Sequence, residues 1–169
     1  MANNTTKNKG RRLALVVGNS KYENVPTLPN ATIDAQNITN QLVELGFDVE
    51  TKLNQTREQL EQVSREFVAK LDAAKDTDIA LIYFAGHGLQ HNGQNYAVPI
   101  DFNAATDLDG DRLNNVQQLM YELPGRAEHT IVILDACRNT GGVDLDAFDD
   151  ILAETREKLG GGLVKMKLN

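Results

Sequence analysis

Two runs, Ile79 to Phe84 and Thr130 to Leu134, are apolar almost throughout, and each leads into a polar motif with a reactive side chain. The first passes into Gly86-His87-Gly88 and the second into Asp135-Ala136-Cys137-Arg138-Asn139. Continuous rather than alternating apolarity marks a strand buried on both faces, as in a parallel sheet covered by helices. In such sheets functional groups collect beyond the carboxyl ends of strands. The two motifs therefore predict that His87 and Cys137 are delivered to one sheet edge.

The rest of the chain supplies the layers that this arrangement needs. Residues 1–10 are polar and predict a disordered tail. Leu13 to Val17 is a third continuous apolar run, closed by Gly18-Asn19, and Ser20 to Asn30 carries Pro26 and Pro29, which predicts a loop over the sheet edge. Ala35, Ile38, Leu42 and Leu45 recur at helical spacing before Gly46, and Phe47 to Leu53 predicts a more exposed strand. Thr56 and Gln59 form a capping box ahead of a helix with the stripe Leu60, Val63, Phe67, Leu71 and Ala74. Asn92-Gly93 predicts a hairpin whose second arm, Tyr96 to Ile100, includes Pro99 and so belongs on an edge. Leu113, Val116, Met120 and Leu123 predict a third helix ending at Pro124-Gly125, and Asp146 to Leu159 predicts a short charged one. Strands alternating with amphipathic helices give an α/β fold: a three-layer sandwich, mostly parallel, with helices on both faces and a small β-hairpin.

Composition bounds the partners. At 169 residues the chain is large enough for one domain with a sizeable core. A net charge of −7 opposes a nucleic-acid footprint and adsorption to anionic membranes, and suits a cationic ligand. No apolar run approaches a membrane span, and the amino terminus lacks a secretory core. A single cysteine cannot form an internal disulfide, which favours a cytoplasmic setting.

Each candidate group has a plainer reading. A lone cysteine is by default an inert small hydrophobe. Cys137, however, follows its strand instead of lying within it, where a neighbouring imidazole would activate the thiolate. Gly-His-Gly is by itself a tight turn, yet glycines beside His87 permit close approach and positive φ, and would present the amide of Gly88 to a developing oxyanion together with that of Cys137. His91 and His129 are expected on the surface. His87 and His91 have helical ligand spacing, but the surrounding glycines oppose a helix, and one cysteine cannot complete a zinc set. Asp107-Leu108-Asp109-Gly110-Asp111 is similar to a calcium loop with its glycine two places too early, and is expected to be a solvated acidic loop. No cofactor is expected, and no residue pattern indicates calcium dependence.

Tyr83-Phe84-Ala85-Gly86-His87-Gly88 and Asp135-Ala136-Cys137-Arg138-Asn139 resemble the two catalytic motifs of the caspase-like cysteine peptidases of clan CD, family C14, nearest the paracaspases, metacaspases and bacterial orthocaspases. The separation, 137 − 87 = 50 residues, matches the caspase pattern. Val16 to Tyr22 and Leu28 to Leu42 resemble the family's first strand, loop and helix. The resemblance implies His87 as base, Cys137 as nucleophile, and the amides of Gly88 and Cys137 as oxyanion hole. It also implies protein or peptide substrates cleaved after Arg or Lys, through Asp135 and, by motif alignment, Asp34. Carboxylates there agree in sign with a guanidinium partner, although Asp34 also suits a helix's first turn.

The expected division is a tail over 1–10, a catalytic large-subunit domain over 11–140, and over 141–169 an intersubunit linker with the start of a small-subunit part. The family's last strands would then be missing, belonging to a separate or truncated segment, and an open edge would allow a homodimer. Self-cleavage after Arg156, Lys158, Lys165 or Lys167 is the corresponding expectation. Two rivals remain: a non-catalytic caspase-like interaction module, and a flavodoxin-like or receiver domain. The latter lacks a good phosphate loop after the first strand.

Overall fold

The computed structural model describes residues 10–74, 76–91, 94–103, 106–107, 114–115, 119 and 122–136, with side chains omitted for 90–91, 94 and 114–115. The order is β1 (Arg11–Gly18), α1 (Ala31–Glu44), β2 (Asp48–Leu53), α2 (Arg57–Ala73), β3 (Thr77–Gly86), β4 (Gly88–His91), β5 (Gln94–Ala97), β6 (Asn114–Asn115) and β7 (His129–Ala136). Among the described residues, four parallel strands form the main sheet in the order β2-β1-β3-β7, and β4-β5-β6 form a small antiparallel sheet.

Alternate residues of the central strands enter two separate cores, because successive side chains point to opposite faces. Ala14, Val16, Leu81, Tyr83 and Ala85 pack with Ala31, Ala35 and Leu42 of α1. Leu13, Leu15, Val17, Ala80, Ile82 and Phe84 pack with Leu60, Val63, Phe67 and Leu71 of α2. The expected three-layer α/β sandwich is thus observed, and it explains why the apolar runs Leu13 to Val17 of β1 and Ile79 to Phe84 of β3 are continuous rather than alternating. The Thr56 capping box opens α2: its side chain accepts from the Gln59 N–H, and the Gln59 Oε1 accepts from the Thr56 N–H.

Four expectations are corrected. Leu45 is 60% exposed: α1 stops at Glu44, and Gly46 at φ +81° swings the chain into β2, leaving Leu45 outside the stripe. The second hairpin arm is not at an edge, since β5 lies between β4 and β6; it ends at Ala97, and Pro99 is buried beyond it. The third helix cannot begin at Leu113, because Asn114–Asn115 form β6 and pair with Ala97 and Tyr96. Of its stripe, Leu123 is buried against the α2 core, while Leu113, Val116 and Met120 lie outside the described residues. Finally, β7 is not buried on both faces. It is the last described strand of its sheet, and Ile131 and Ile133 are 40% and 42% exposed on the α1 face, since α1 packs chiefly on β1, β2 and β3. The tail (1–9) and everything from Cys137 onward, including the predicted helix at 146–159, also lie outside the described residues.

Phe67 is almost fully buried in the α2 core, so Phe67→Ala should lower the unfolding free energy by about 3–5 kcal/mol. Leu45→Ala should change it by less than about 0.5 kcal/mol. Urea unfolding of the two variants checks the pair, and equal losses would contradict the placement of Leu45.

Candidate active site

The carboxyl edge is assembled by the turn after β1. A Cβ on Gly18 would stand 2.6 Å from Ala35 Cβ and 2.8 Å from the Ala31 carbonyl oxygen, so glycine is what lets the first turn of α1 sit directly on the strand end. Asn19, fully buried, donates from its main-chain N–H to the Ala85 carbonyl at 2.9 Å. Its side chain accepts from the Gln55 N–H at 2.9 Å and donates to the Val98 carbonyl at 3.1 Å and to that of Gln55 at 3.4 Å. Asn54, at φ 55°, accepts the Ser20 and Lys21 N–H groups on Oδ1, each at 3.0 Å. The side chain of Asn30, the N-cap of α1, makes no capping bond. Instead Ser20 Oγ accepts the Thr32 N–H at 3.0 Å, satisfying one orphan donor from across the loop.

His87 leaves β3 immediately under this loop. Its main-chain N–H donates to Tyr22 Oη at 2.8 Å, and its carbonyl accepts from the Val98 N–H at 3.0 Å. The Tyr22 and His87 rings lie 4.6 Å apart, centroid to centroid, at 53°. His87 Nε2 is 2.8 Å from the carbonyl oxygen of Pro26. A carbonyl can only accept, so Nε2 carries the hydrogen and the neutral ring keeps its lone pair on Nδ1. Burial pushes the imidazole pKa below its ordinary 6.5, and the Pro26 carbonyl, which favours the charged form, opposes that shift in part. A neutral imidazole that carries its hydrogen on Nε2 has Nδ1 as its basic nitrogen, and such a ring is suited to take a proton at neutral pH.

The glycines around His87 act differently from expectation. Neither Gly86 nor Gly88 has positive φ. Gly86 is needed for space: a Cβ there would meet Tyr22 Oη at 2.6 Å and Phe84 Cζ at 2.8 Å. Gly88 opens β4 opposite Ala97. The bond from the Val98 N–H to the His87 carbonyl sets the phase of the ladder and makes Gly88 and Ala97 a non-hydrogen-bonded pair. The Gly88 N–H consequently points away from β5.

Cys137 lies outside the described residues. The register nevertheless sets Ala136, to which it is joined, opposite Gly86, which precedes His87. Asp135 stands one position earlier on the α1 face, exposed, and accepts the Tyr83 hydroxyl on Oδ2 at 2.9 Å. Asp34 occupies the first turn of α1, half-buried, at the same carboxyl edge. His129 is exposed at the far end of β7, and the His91 side chain is outside the described set. Of the acidic loop, Asp107 accepts from the Asn103 N–H and the Thr106 hydroxyl, each at 2.9 Å, as a turn-stabilising carboxylate; residues 108–111 are not described. Among the described residues no cluster of three or more metal-ligating side chains occurs. A cavity of about 530 Å³ opens at the opposite, amino edge between Arg12, Leu45 and Lys70, away from His87.

Tyr22 and Pro26 are the residues that sequence reasoning missed. Their segment predicts only a loop, and the signal available was that a loop leaving the carboxyl end of one central strand must pass beside the end of the next.

Residues 11–161 match the Caspase domain family of peptidases, C14. The chain belongs to that family. It is 30% identical over 134 residues to human Mucosa-associated lymphoid tissue lymphoma translocation protein 1, covering 79% of this chain and 16% of the relative. It is 36% identical over 83 residues to Caspase-1-A of Xenopus laevis, covering 48% and 21% respectively, and 26% identical over 132 residues to Caspase-1 of Sus scrofa, covering 75% and 31%. The chain thus spans a third or less of the length of these curated relatives. A crystal structure of protein GSU0716 from Geobacter sulfurreducens superposes with a TM-score of 0.54 at 16% identity, covering 87% of this chain and 62% of that one, which supports the fold. No described helix is long and apolar enough to cross a membrane.

The lowered His87 pKa has a thermodynamic consequence. Below about pH 6.5 the unfolded chain takes up a proton on this residue that the folded chain resists, so stability falls as pH drops from that value toward the lowered folded pKa. Above it the contribution is flat. Melting temperature measured from about pH 8 down to pH 5 should decline less steeply in His87→Gln than in the native protein. Parallel profiles would contradict the buried, neutral imidazole.

Proposed function

We propose that this caspase-domain protein is a cysteine-type endopeptidase that cleaves after Arg or Lys with a His87–Cys137 dyad. The observation that carries the reading is the β3–β7 register. It sets the residue before His87 against the residue before Cys137, and the Pro26 contact leaves His87 Nδ1 as the basic nitrogen. Family membership supplies the reaction class, and the two caspase-1 relatives carry the peptidase family's name.

In this mechanism an extended substrate lies across the carboxyl edge. His87 Nδ1 takes the Cys137 thiol proton, the thiolate attacks the scissile carbonyl carbon, and the oxyanion is held by the amides of Gly88 and Cys137. His87 returns the proton to the leaving amine as the C–N bond breaks, giving a thioester. Water, deprotonated by His87, then attacks the thioester, releasing the acid and restoring the thiol. Asp135, with Asp34 as second acid, receives the basic side chain. The outward Gly88 N–H and the exposed Asp135 carboxylate support these two assignments. A −7 chain attracts such a substrate in the same sense.

Cys137→Ala should abolish cleavage of an arginyl reporter peptide, a loss of about 10³-fold or more. The native chain should cleave arginyl and lysyl reporters and leave the aspartyl one intact. Preference for aspartate would overturn the roles of Asp34 and Asp135, while turnover unchanged in Cys137→Ala would overturn the dyad.

A further inference from the structure

The Tyr83–Asp135 hydrogen bond joins the core of the sheet to the edge where substrate is proposed to bind. Tyr83 is buried on the α1 face of β3, where it pairs in register with Ile133, and Asp135 pairs with Ala85. The phenol therefore reaches diagonally, two residues toward the carboxyl edge, to place its hydroxyl 2.9 Å from Asp135 Oδ2. A buried tyrosine needs an acceptor for its O–H. Here the acceptor is an exposed carboxylate within two residues of the proposed nucleophile in sequence, and the donor is a group that the sheet itself holds rigid.

This bond restricts rotation of the carboxyl group about its Cβ–Cγ bond while leaving Oδ1 and the second lone pair of Oδ2 as acceptors. The two basic side chains differ in their need for such restriction. A guanidinium is planar and offers two parallel N–H donors to both carboxylate oxygens, so it gains from a carboxylate held in one plane. An ammonium is a compact charge with three rotatable donors and is nearly indifferent to that plane. The geometry points to Tyr83 as a specificity-determining positioning residue: by fixing the plane of the Asp135 carboxylate, it makes the site favour arginine over lysine before the cleaved bond. The inference rests on the reading of Asp135 as the acid that receives the substrate's basic side chain.

The test uses the full chain and two reporter peptides differing only in Arg or Lys before the scissile bond. In Tyr83→Phe, kcat/KM for the arginyl peptide should fall about fivefold, mainly through KM, and that for the lysyl peptide by less than about twofold. Loss of structure alone would lower the concentration of active protein and scale both peptides equally, so the ratio is insensitive to how much of the variant folds. Asp135→Asn should depress both peptides, and adding Tyr83→Phe to it should leave the ratio where Asp135→Asn alone puts it. Cleavage by Tyr83→Phe with the native Arg-to-Lys ratio would overturn the role of Tyr83 alone. If native protein cleaves neither peptide although iodoacetamide labels Cys137, the assignment of Asp135 falls and this inference falls with it.

Discussion

The carboxyl edge depends on one buried amide. Asn19 bonds at once to the end of β3, to the turn before α2 and to the strap at Val98 that follows β5. These three segments come from separate parts of the chain; the bond to β3 is made by the main-chain N–H, and the side chain is the shared partner of the main-chain groups of Gln55 and Val98. Satisfying buried backbone groups through a side chain is costly to lose, because each orphaned donor or acceptor carries its full desolvation penalty, about 1–3 kcal/mol. Asparagine fits because it both donates and accepts: its oxygen takes the Gln55 N–H while its nitrogen serves two carbonyls. An aspartate there would have no donor for those carbonyls.

From that clamp the position of His87 follows. Asn19 fixes the start of the loop 19–30, and the loop returns Tyr22 and Pro26 to the imidazole. Gly86 leaves the gap that Tyr22 Oη fills. His87 is thus held mainly by main-chain groups, the Pro26 carbonyl and the Val98 N–H, together with the Tyr22 phenol. Such contacts orient a ring without adding a charge, so burial dominates its pKa and keeps it neutral.

Much of this was legible in the sequence where the signal was local or periodic. Continuous apolarity at Leu13 to Val17 and Ile79 to Phe84 gave buried strands, and Thr56 with Gln59 gave a helix start, because both depend on near neighbours in the chain. Leu45 was misleading since three- and four-residue spacing does not say where a helix stops, and one glycine turn removed it from the stripe. Asn114–Asn115 joined a sheet for want of any local mark, the pairing being set by β5. The contacts of Pro26 and Asn19 span 61 and 79 residues, distances over which no spacing rule operates. The first glycine of Gly-His-Gly is required for a reason that only the fold supplies: room for a tyrosine hydroxyl rather than positive φ.

The two faces of β7 differ in a way that bears on the site. Val132 and Leu134 pack into the α2 core, whereas Ile131, Ile133 and Asp135 line up on the α1 side, beyond the strands on which that helix chiefly packs. On this open face the one described side-chain hydrogen bond to β7 is that from Tyr83 to Asp135. The strand's rigidity at its carboxyl end therefore comes from β3 twice over, through the ladder that sets Ala136 against Gly86 and through the phenol that holds Asp135. A displacement of β7 along β3 by a single residue would break both together and carry the following residue away from His87. Register at this edge is the quantity on which geometry between the two motifs depends, and a buried tyrosine bonded across it gives that register a polar restraint in addition to the sheet hydrogen bonds.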